Sequence, residues 1–176
     1  MKVAITGHTK GIGRAIANLY PDHLGFSRSN GYDISVETSR EQIVHESLDC
    51  DIFVNNAYHI DAQSKLFKMM FEVWRDDESK TIVNIVSRSR YDTHTDREYS
   101  NMKRDLGSVA NPGFMYDRKC RIINISPGWV ATTRVPQDWL ISNNHPYITA
   151  HECAKYVKWA IDQDLEIGEL SFWRSK

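Results

Sequence analysis

The sequence predicts an α/β fold in which a doubly wound parallel sheet lies between two layers of helices. Three observations predict it: short apolar segments recur along the chain, segments of helical periodicity separate them, and a glycine-rich turn joins the first apolar segment to the first helix. The chain has 176 residues and no repeat or linker, so we expect one domain covering residues 1–176.

The local pattern predicts each strand and helix. Apolar segments predict strands at residues 2–6, 23–27, 51–55, 80–86, 120–125 and 168–173. Apolar residues at helical spacing predict helices at residues 12–20, 37–48, 61–75, 97–109 and 150–162. Residues 129–149 lack clear periodicity, and a loop of that length in a compact domain is usually a lid or a binding loop.

Composition and charge exclude several classes of protein. Apolar residues make up 41% and charged residues 26%, as in globular proteins, and a net charge of −1 gives no electrostatic case for binding nucleic acid or an acidic membrane. No apolar run approaches the roughly 18 residues of a membrane helix, and the N-terminus leads directly into a strand without a signal peptide. We therefore expect a cytoplasmic protein.

The cysteines predict neither a disulfide framework nor a metal site. Cys50, Cys120 and Cys153 are an odd number and lack Cys-x-x-Cys spacing. We interpret them as reduced, mostly buried thiols, and we expect no bound metal.

The turn after the first strand predicts a phosphate site. Glycines at positions 7, 11 and 13 allow close approach to a pyrophosphate, and the following helix offers unpaired N–H groups. The spacing Gly-x-x-x-Gly-x-Gly differs from the Gly-x-Gly-x-x-Gly fingerprint, and no Lys-Ser/Thr pair follows as in a nucleotide-triphosphate loop. On turn chemistry alone, an ordinary tight turn between strand and helix is the alternative.

Five short motifs occur in a fixed order along the chain. They are Thr6-Gly7-x-x-x-Gly11-x-Gly13, Asn55-Asn56-Ala57, Ser87, Tyr99-x-x-x-Lys103 and Pro127-Gly128-x-x-x-Thr132. In this order the chain resembles the short-chain dehydrogenase/reductase family from residue 2 to about residue 173. The resemblance implies a Rossmann-like fold, a nicotinamide dinucleotide cofactor and a small-molecule substrate. The chain is unusually short for that family, so we expect trimmed helices and loops, with one strand reduced to a stub at residues 32–35.

The resemblance also implies which residues bind the cofactor. They are Thr6, Gly7, Thr9, Lys10, Gly11, Ile12, Gly13, Arg28, Asp33, Ile34, Asn55, Asn56, Ala57, Lys103, Pro127, Gly128, Val130 and Thr132.

Two cations predict that NADP(H) is preferred over NAD(H). Arg28 stands after the second strand, flanked by serines, in the region where NAD sites place an acid and NADP sites an arginine for the 2′-phosphate. Lys10 lies within the glycine turn as a second cation, and an arginine fork suits phosphate well. The alternative is that both are solvated loop charges.

Two further parts of the predicted cofactor site carry open alternatives. Asp33 and Ile34 resemble the family's pair beside the adenine, with the carboxylate accepting from the amine and Ile34 covering a ring face. Asp33 is equally interpreted as a turn or capping residue. Tyr58 stands where the family has glycine, so its ring must turn away from the cofactor or narrow the pocket.

Ser87, Tyr99 and Lys103 are the predicted catalytic residues. Tyr99 and Lys103 lie four residues apart on a predicted helix and therefore on one face. A tyrosine pKa near 10 is too high for efficient proton exchange at neutral pH, and we expect Lys103, together with the positive nicotinamide of the oxidised cofactor, to lower it. Ser87 would hold the substrate oxygen, with Ser89 as the competing serine. Alone, the Tyr–Lys pair is also compatible with a chance pairing on a helix face.

In the second half of the chain, the sequence departs from the family at one position, and two segments have alternative roles. The helix at residues 61–75 lacks the asparagine of the family's water relay, for which Gln63 or His59 is the candidate replacement. In the family, Pro127-Gly128 would turn the chain past the nicotinamide, and backbone N–H groups of residues 126–132 would bind its carboxamide; the alternative is a plain strand-ending turn. The aromatic segment 134–147 is either a substrate lid or packing.

The surplus of apolar residues on the helix at 61–75 predicts a homo-oligomer, a dimer or tetramer. In the alternative, loops of a monomer cover that surplus.

The motifs lead to two candidate functions. The first is an NADP(H)-dependent oxidoreductase acting on a carbonyl or alcohol. The second is a dinucleotide-binding sensor without turnover, which the short chain, Tyr58 and the missing asparagine favour.

Overall fold

The computed structural model describes residues 1–91, 97–115 and 117–175. Its strands are β1 (Val3–Thr6), β2 (Leu24–Phe26), β3 (Ile52–Asn55), β4 (Thr81–Ile85), β5 (Arg121–Pro127), β6 (Val130–Ala131), β7 (Ile148–Thr149) and β8 (Glu169–Phe172). Its α-helices are α1 (Gly11–Ala17), α2 (Glu37–Ser47), α3 (Ala62–Trp74), α4 (Arg97–Val109), α5 (Gln137–Ser142) and α6 (Ala150–Ile161).

The main sheet has six parallel strands in the order β2-β1-β3-β4-β5-β8. The chain first moves from β1 to β2 on one side and then continues with β3 on the other side of β1. The carboxyl ends of β1 and β3 therefore flank the topological switch point, where open α/β sheets bind their ligands. The predicted doubly wound parallel sheet is confirmed.

Helices cover both faces of the sheet because side chains alternate along each strand. Phe53 packs in a core with residues of α2, α3 and α4, whereas Ile52 and Val54 pack in a second core with residues of α1 and α6. Burial on both faces explains why the strands are continuously apolar. The result is the predicted three-layer arrangement.

The six strands and five helices predicted from local patterns are all present, and α1 differs most from its prediction because it ends at Ala17. Beyond it, the amides of Leu19 and Tyr20 bond to the carbonyls three residues earlier, at 2.9 and 3.1 Å. Pro21 follows, and the residue before a proline disfavours the α conformation. The last turn is therefore tightened and the helix stops early.

Two predictions about irregular segments are wrong. Residues 32–35 form no strand, because the carboxylate of Asp33 accepts from the amide and hydroxyl of Ser35 and closes a turn. Residues 129–149 are not a plain loop, since they contain α5 and the parallel pair β6–β7. A third small core of Val130, Ile148 and Cys153 fixes this segment.

Most of the apolar surplus of α3 is covered within the chain. Leu66, Phe67, Met70 and Trp74 are buried in the core, whereas Val73 is 49% exposed. This favours the alternative in which a monomer covers these side chains, and the oligomeric state stays a prediction.

The described part of the chain contains no helix that is both long and apolar enough to cross a bilayer. All three cysteines are free and buried, as predicted.

Candidate active site

The glycine turn between β1 and α1 depends on the absence of side chains. Gly7 and Gly11 have φ of +68° and +55°, a region that favours glycine. A Cβ at Gly13 would overlap the carbonyl oxygen of Gly7. The backbone of the turn therefore closes tightly on itself.

Thr6 and Asn56 fasten this turn to the end of β3. The Thr6 hydroxyl accepts from the amides of Asn56 and Ala57, both at 2.9 Å. The side-chain Nδ2 of Asn56 donates to the carbonyls of Thr6 and Gly7 at 3.0 and 3.3 Å. Thr6 is fully buried, so its side chain shapes the turn and does not reach a cofactor.

Other predicted cofactor residues differ in how they can take part. Ile34 and Val130 have buried side chains that pack in the cores, so Ile34 offers no free face to an adenine. The Gly128 amide donates to the carbonyl of Phe172 at 2.8 Å and is not free for a carboxamide. Thr132 lies against the glycine turn, its methyl carbon 3.4 Å from where a Cβ of Gly11 would stand.

The two predicted phosphate ligands are solvent-accessible cations. Arg28 and Lys10 are exposed, and neither forms an ion pair with another described residue.

Hydrogen bonds from Ser35 lower the pKa of Asp33, and the charge of Arg28 contributes to the lowering. Asp33 therefore acts as the turn residue that sequence reasoning left as an alternative. Thr9 and Ile12 lie in and just after the turn, with Ile12 half-buried.

Ser87, Tyr99 and Lys103 come together beside the end of β4. The Tyr99 hydroxyl hydrogen-bonds with Ser87, and the ammonium of Lys103 lies 5.8 Å from the centre of the Tyr99 ring. Ser89 donates to the Ser87 hydroxyl at 2.9 Å. Ser87 is thus the serine that meets the phenol, and Ser89 supports it.

Burial governs the proton affinities of this cluster. It raises the pKa of Tyr99, although the bond to Ser87 and the charge of Arg134 act in the opposite direction. Burial, aided by Arg134, lowers the pKa of Lys103 to about 7. In the chain by itself the pKa of Tyr99 is therefore raised, because desolvation of the phenolate outweighs the nearby charges. The lowering expected from Lys103 together with the oxidised cofactor stays a prediction.

Gln63 takes the contact that sequence reasoning left open. The Lys103 ammonium donates to Gln63 Oε1 at 2.7 Å and to the carbonyl of Ile85 at 2.8 Å. Gln63 in turn donates to the carbonyl of Asn55 at 2.8 Å. The side chain of Gln63 therefore binds the lysine directly and ties it to the end of β3.

A chain of buried amides crosses the sheet beneath the cluster, and sequence reasoning missed it. Asn55 donates to Asn84 at 3.0 Å, Asn84 donates to Asn124 at 3.1 Å, and Asn124 donates to the carbonyl of Ala110 at 2.8 Å. The signal was present, since each asparagine interrupts an apolar strand. Asn55 is completely buried, and its side chain bridges β3 and β4.

Tyr58 and Arg134 complete the cluster, and neither was predicted as a site residue. The Tyr58 ring turns towards α4 and meets the Tyr99 ring edge-on, with 5.1 Å between centres. The Arg134 guanidinium lies over both rings, 4.5 Å from Tyr58 and 5.1 Å from Tyr99. A cation stacked on aromatic rings is a favourable contact, and Arg134 places a positive charge beside the phenol of Tyr99.

The glycine turn and the tyrosine cluster share one crevice. Residues 56–58 contact the turn through Asn56 and contact Tyr99 through Tyr58. Residues 132–134 repeat this arrangement, with Thr132 at the turn and Arg134 over Tyr99. Within the described residues, no group of three or more His, Cys, Asp or Glu side chains is arranged to hold a metal ion.

Comparison with known proteins identifies the fold. No family model and no curated protein matches the sequence. Among solved structures, the closed form of serine dehydrogenase complexed with NADP+ has a TM-score of 0.79 and 15% identity, over 99% of this chain and 95% of that one. A short-chain dehydrogenase from Burkholderia cenocepacia J2315 in complex with NADP has a TM-score of 0.78 and 15% identity, over 97% of this chain and 95% of that one.

A third neighbour is the 3-alpha-hydroxysteroid dehydrogenase from Pseudomonas sp. B-0831 complexed with NADH, with a TM-score of 0.75 and 16% identity over 97% of this chain and 94% of that one. The chain has the fold of these dehydrogenases. The structural similarity establishes a Rossmann-like fold. At such low sequence identity, the activity has to be argued from the site.

Proposed function

We propose that this protein is an oxidoreductase of the short-chain dehydrogenase/reductase type, which transfers hydride between NADP(H) and a carbonyl or alcohol group of a small molecule. One observation carries the proposal: a serine, a tyrosine and a lysine meet at the same crevice as a glycine turn, at the switch point of the sheet. The dehydrogenases of the same fold, which were solved with NADP or NADH, support it.

The residues present fit a dinucleotide. The turn is packed closely enough that a Cβ at Gly13 would overlap Gly7 and a side chain at Gly7 would crowd Asn56, and a helix begins directly after it, as in sites that bind a pyrophosphate. Arg28 and Lys10 provide exposed positive charge for a 2′-phosphate. When bound, the nicotinamide supplies the hydride.

The protein's own residues supply the proton and the position. In carbonyl reduction, Tyr99 donates its phenolic proton to the carbonyl oxygen, while Ser87 donates a hydrogen bond to the same oxygen. The phenolate that remains needs positive charge nearby, because burial raises the pKa of Tyr99. Lys103 and Arg134 provide that charge from two sides of the ring.

A dinucleotide-binding sensor is the second candidate, and one observation favours it. The Lys103 ammonium donates to Gln63 and to the carbonyl of Ile85, so two of its three N–H groups are already engaged within the protein. In a sensor, this arrangement would be structural and Tyr99 would have no turnover to support.

One experiment with two variants separates the candidates. NADPH oxidation is measured against aldehydes, ketones and oxo acids, with wild type and Tyr99→Phe compared. We expect turnover that falls at least about 100-fold in Tyr99→Phe, in keeping with general acid catalysis. Binding of NADPH without any Tyr99-dependent turnover would support the sensor. In parallel titrations, we expect NADPH to bind more tightly than NADH, and Arg28→Ala to remove most of that difference.

A further inference from the structure

Arg134 is held in a defined place beside the reacting phenol. It lies in a short turn that two hydrogen bonds close, from the amide of Thr132 to the carbonyl of Val135 at 3.0 Å and from the amide of Val135 to the Thr132 hydroxyl at 3.2 Å. Its guanidinium covers Tyr58 and Tyr99 at 4.5 and 5.1 Å. Tyr58 thus serves as a platform that directs the guanidinium towards the phenol.

The charge of Arg134 has no counter-ion in the described part of the chain. No acidic side chain there forms an ion pair with it, and its side chain is exposed. Other arginines near the site are engaged elsewhere, since Arg90 pairs with Glu169 at 3.2 Å and Arg88 lies 4.1 Å from the Trp173 ring centre. Arg134 is therefore placed to receive an anion from solution.

The position of Arg134 selects the kind of anion. A planar guanidinium binds a carboxylate through two parallel hydrogen bonds, with direction as well as charge. The same group borders the ring of Tyr99, whose hydroxyl meets the substrate oxygen. A ligand that uses both groups carries its anionic group close to its reacting carbon.

Resting on the proposed function, we propose that the substrate is an oxo acid or the corresponding hydroxy acid, with its carboxylate on Arg134 and its reacting oxygen on Tyr99 and Ser87. In reduction, the carbonyl carbon gains a hydride from NADPH and the carbonyl oxygen gains the Tyr99 proton. The products are the hydroxy acid and NADP+. The carboxylate is unchanged and serves for binding and orientation.

The test compares charged substrates with neutral matches. We choose 2-oxo and 3-oxo acids, their methyl esters, and dihydroxyacetone with and without its phosphate. The proteins are wild type, Arg134→Met, Arg134→Lys and the control Arg88→Met, which removes an exposed arginine stacked on Trp173 instead of on Tyr99. Thermal unfolding of each variant checks that it folds.

Wild type is expected to prefer an acid over its ester by at least about 30-fold in kcat/KM. Arg134→Met should reduce that preference about 10- to 100-fold, the range for a charge-assisted hydrogen bond, while Arg134→Lys retains part of it and Arg88→Met all of it. Equal use of acid and ester by wild type would overturn the proposal. A preference for the phosphate, or an equal loss for acid and ester in Arg134→Met, would do the same.

A binding measurement keeps this test separate from that of the proposed function. Oxamate, a non-reducible match for a 2-oxo acid, and neutral oxamide are titrated calorimetrically into the NADPH-loaded protein. Oxamate should bind to wild type and to Arg88→Met and bind at least 10-fold more weakly to Arg134→Met. If no carbonyl is reduced but this pattern holds, the oxidoreductase proposal fails and the carboxylate site stands. Equal or undetectable binding of oxamate and oxamide to wild type overturns the site.

Discussion

At the scale of single residues, Gln63 decides how Lys103 is held. Its side-chain oxygen accepts from the ammonium at 2.7 Å and its amide nitrogen donates to Asn55 at 2.8 Å. Leucine in its place would leave a buried lysine with one acceptor fewer, whereas glutamate would put an opposite charge against it. The two variants should therefore move the pKa of Lys103 in opposite directions.

We predict that the pH profile of kcat/KM for NADPH reports this change. That ratio reflects the ionisation of groups in the free enzyme. It should fall on the alkaline side with a midpoint near the Lys103 pKa of about 7, because loss of the ammonium removes the positive charge that stabilises the phenolate of Tyr99. Gln63→Glu should shift the limb to higher pH and Gln63→Leu to lower pH. The exposed Gln42→Leu is the control. Unshifted limbs in both Gln63 variants would show that the contact is only structural.

At the scale of elements, the turn between β1 and α1 depends on Gly13 more than on the charges around it. We predict that Gly13→Ala weakens NADPH binding at least about 10-fold and destabilises the fold by roughly 1–3 kcal/mol, because its Cβ would overlap the Gly7 carbonyl. Fluorescence titration and urea unfolding measure the two effects. Arg14→Ala, an exposed change in the same helix, should alter neither. Wild-type binding by Gly13→Ala would contradict the close packing of this turn.

The elements were largely predictable from sequence because burial on both faces produces long apolar strands that local patterns reveal. The proximity of Tyr99 and Lys103 was also indicated, since they share a helix face. The chain of asparagines and the position of Arg134 were not predicted. Both depend on the register between distant strands and on a turn within residues 129–149, which have no periodicity to read.

At the scale of the whole molecule, buried hydrogen bonds connect the candidate site to the core. The amides of β3, β4 and β5 that cross the sheet lead from the Lys103 pocket to the end of α4. Lys103 is itself among the buried residues. A buried ammonium penalises the folded state whenever it must be charged, so Lys103 is expected to influence global stability.

The sign of that influence follows from proton linkage. In the folded chain Lys103 has a pKa of about 7, against 10.5 for the free side chain. Between these values the unfolded chain binds more protons than the folded one, so the free energy of unfolding rises with pH. Below about pH 7 both states hold the proton and this contribution no longer changes.

We therefore predict that the stability difference between wild type and Lys103→Met depends on pH. From pH 6 to pH 9 the free energy of unfolding of wild type should rise relative to the variant, by an amount on the order of a few kcal/mol. Urea unfolding at both pH values under reducing conditions measures it, and contributions from other titrating groups cancel in the difference. Lys158→Met, which removes a surface lysine paired with Asp162, should show no such trend. Parallel behaviour of wild type and Lys103→Met would mean that Lys103 keeps its proton in the folded protein throughout this range, and that its charge is available to Tyr99 at every pH tested.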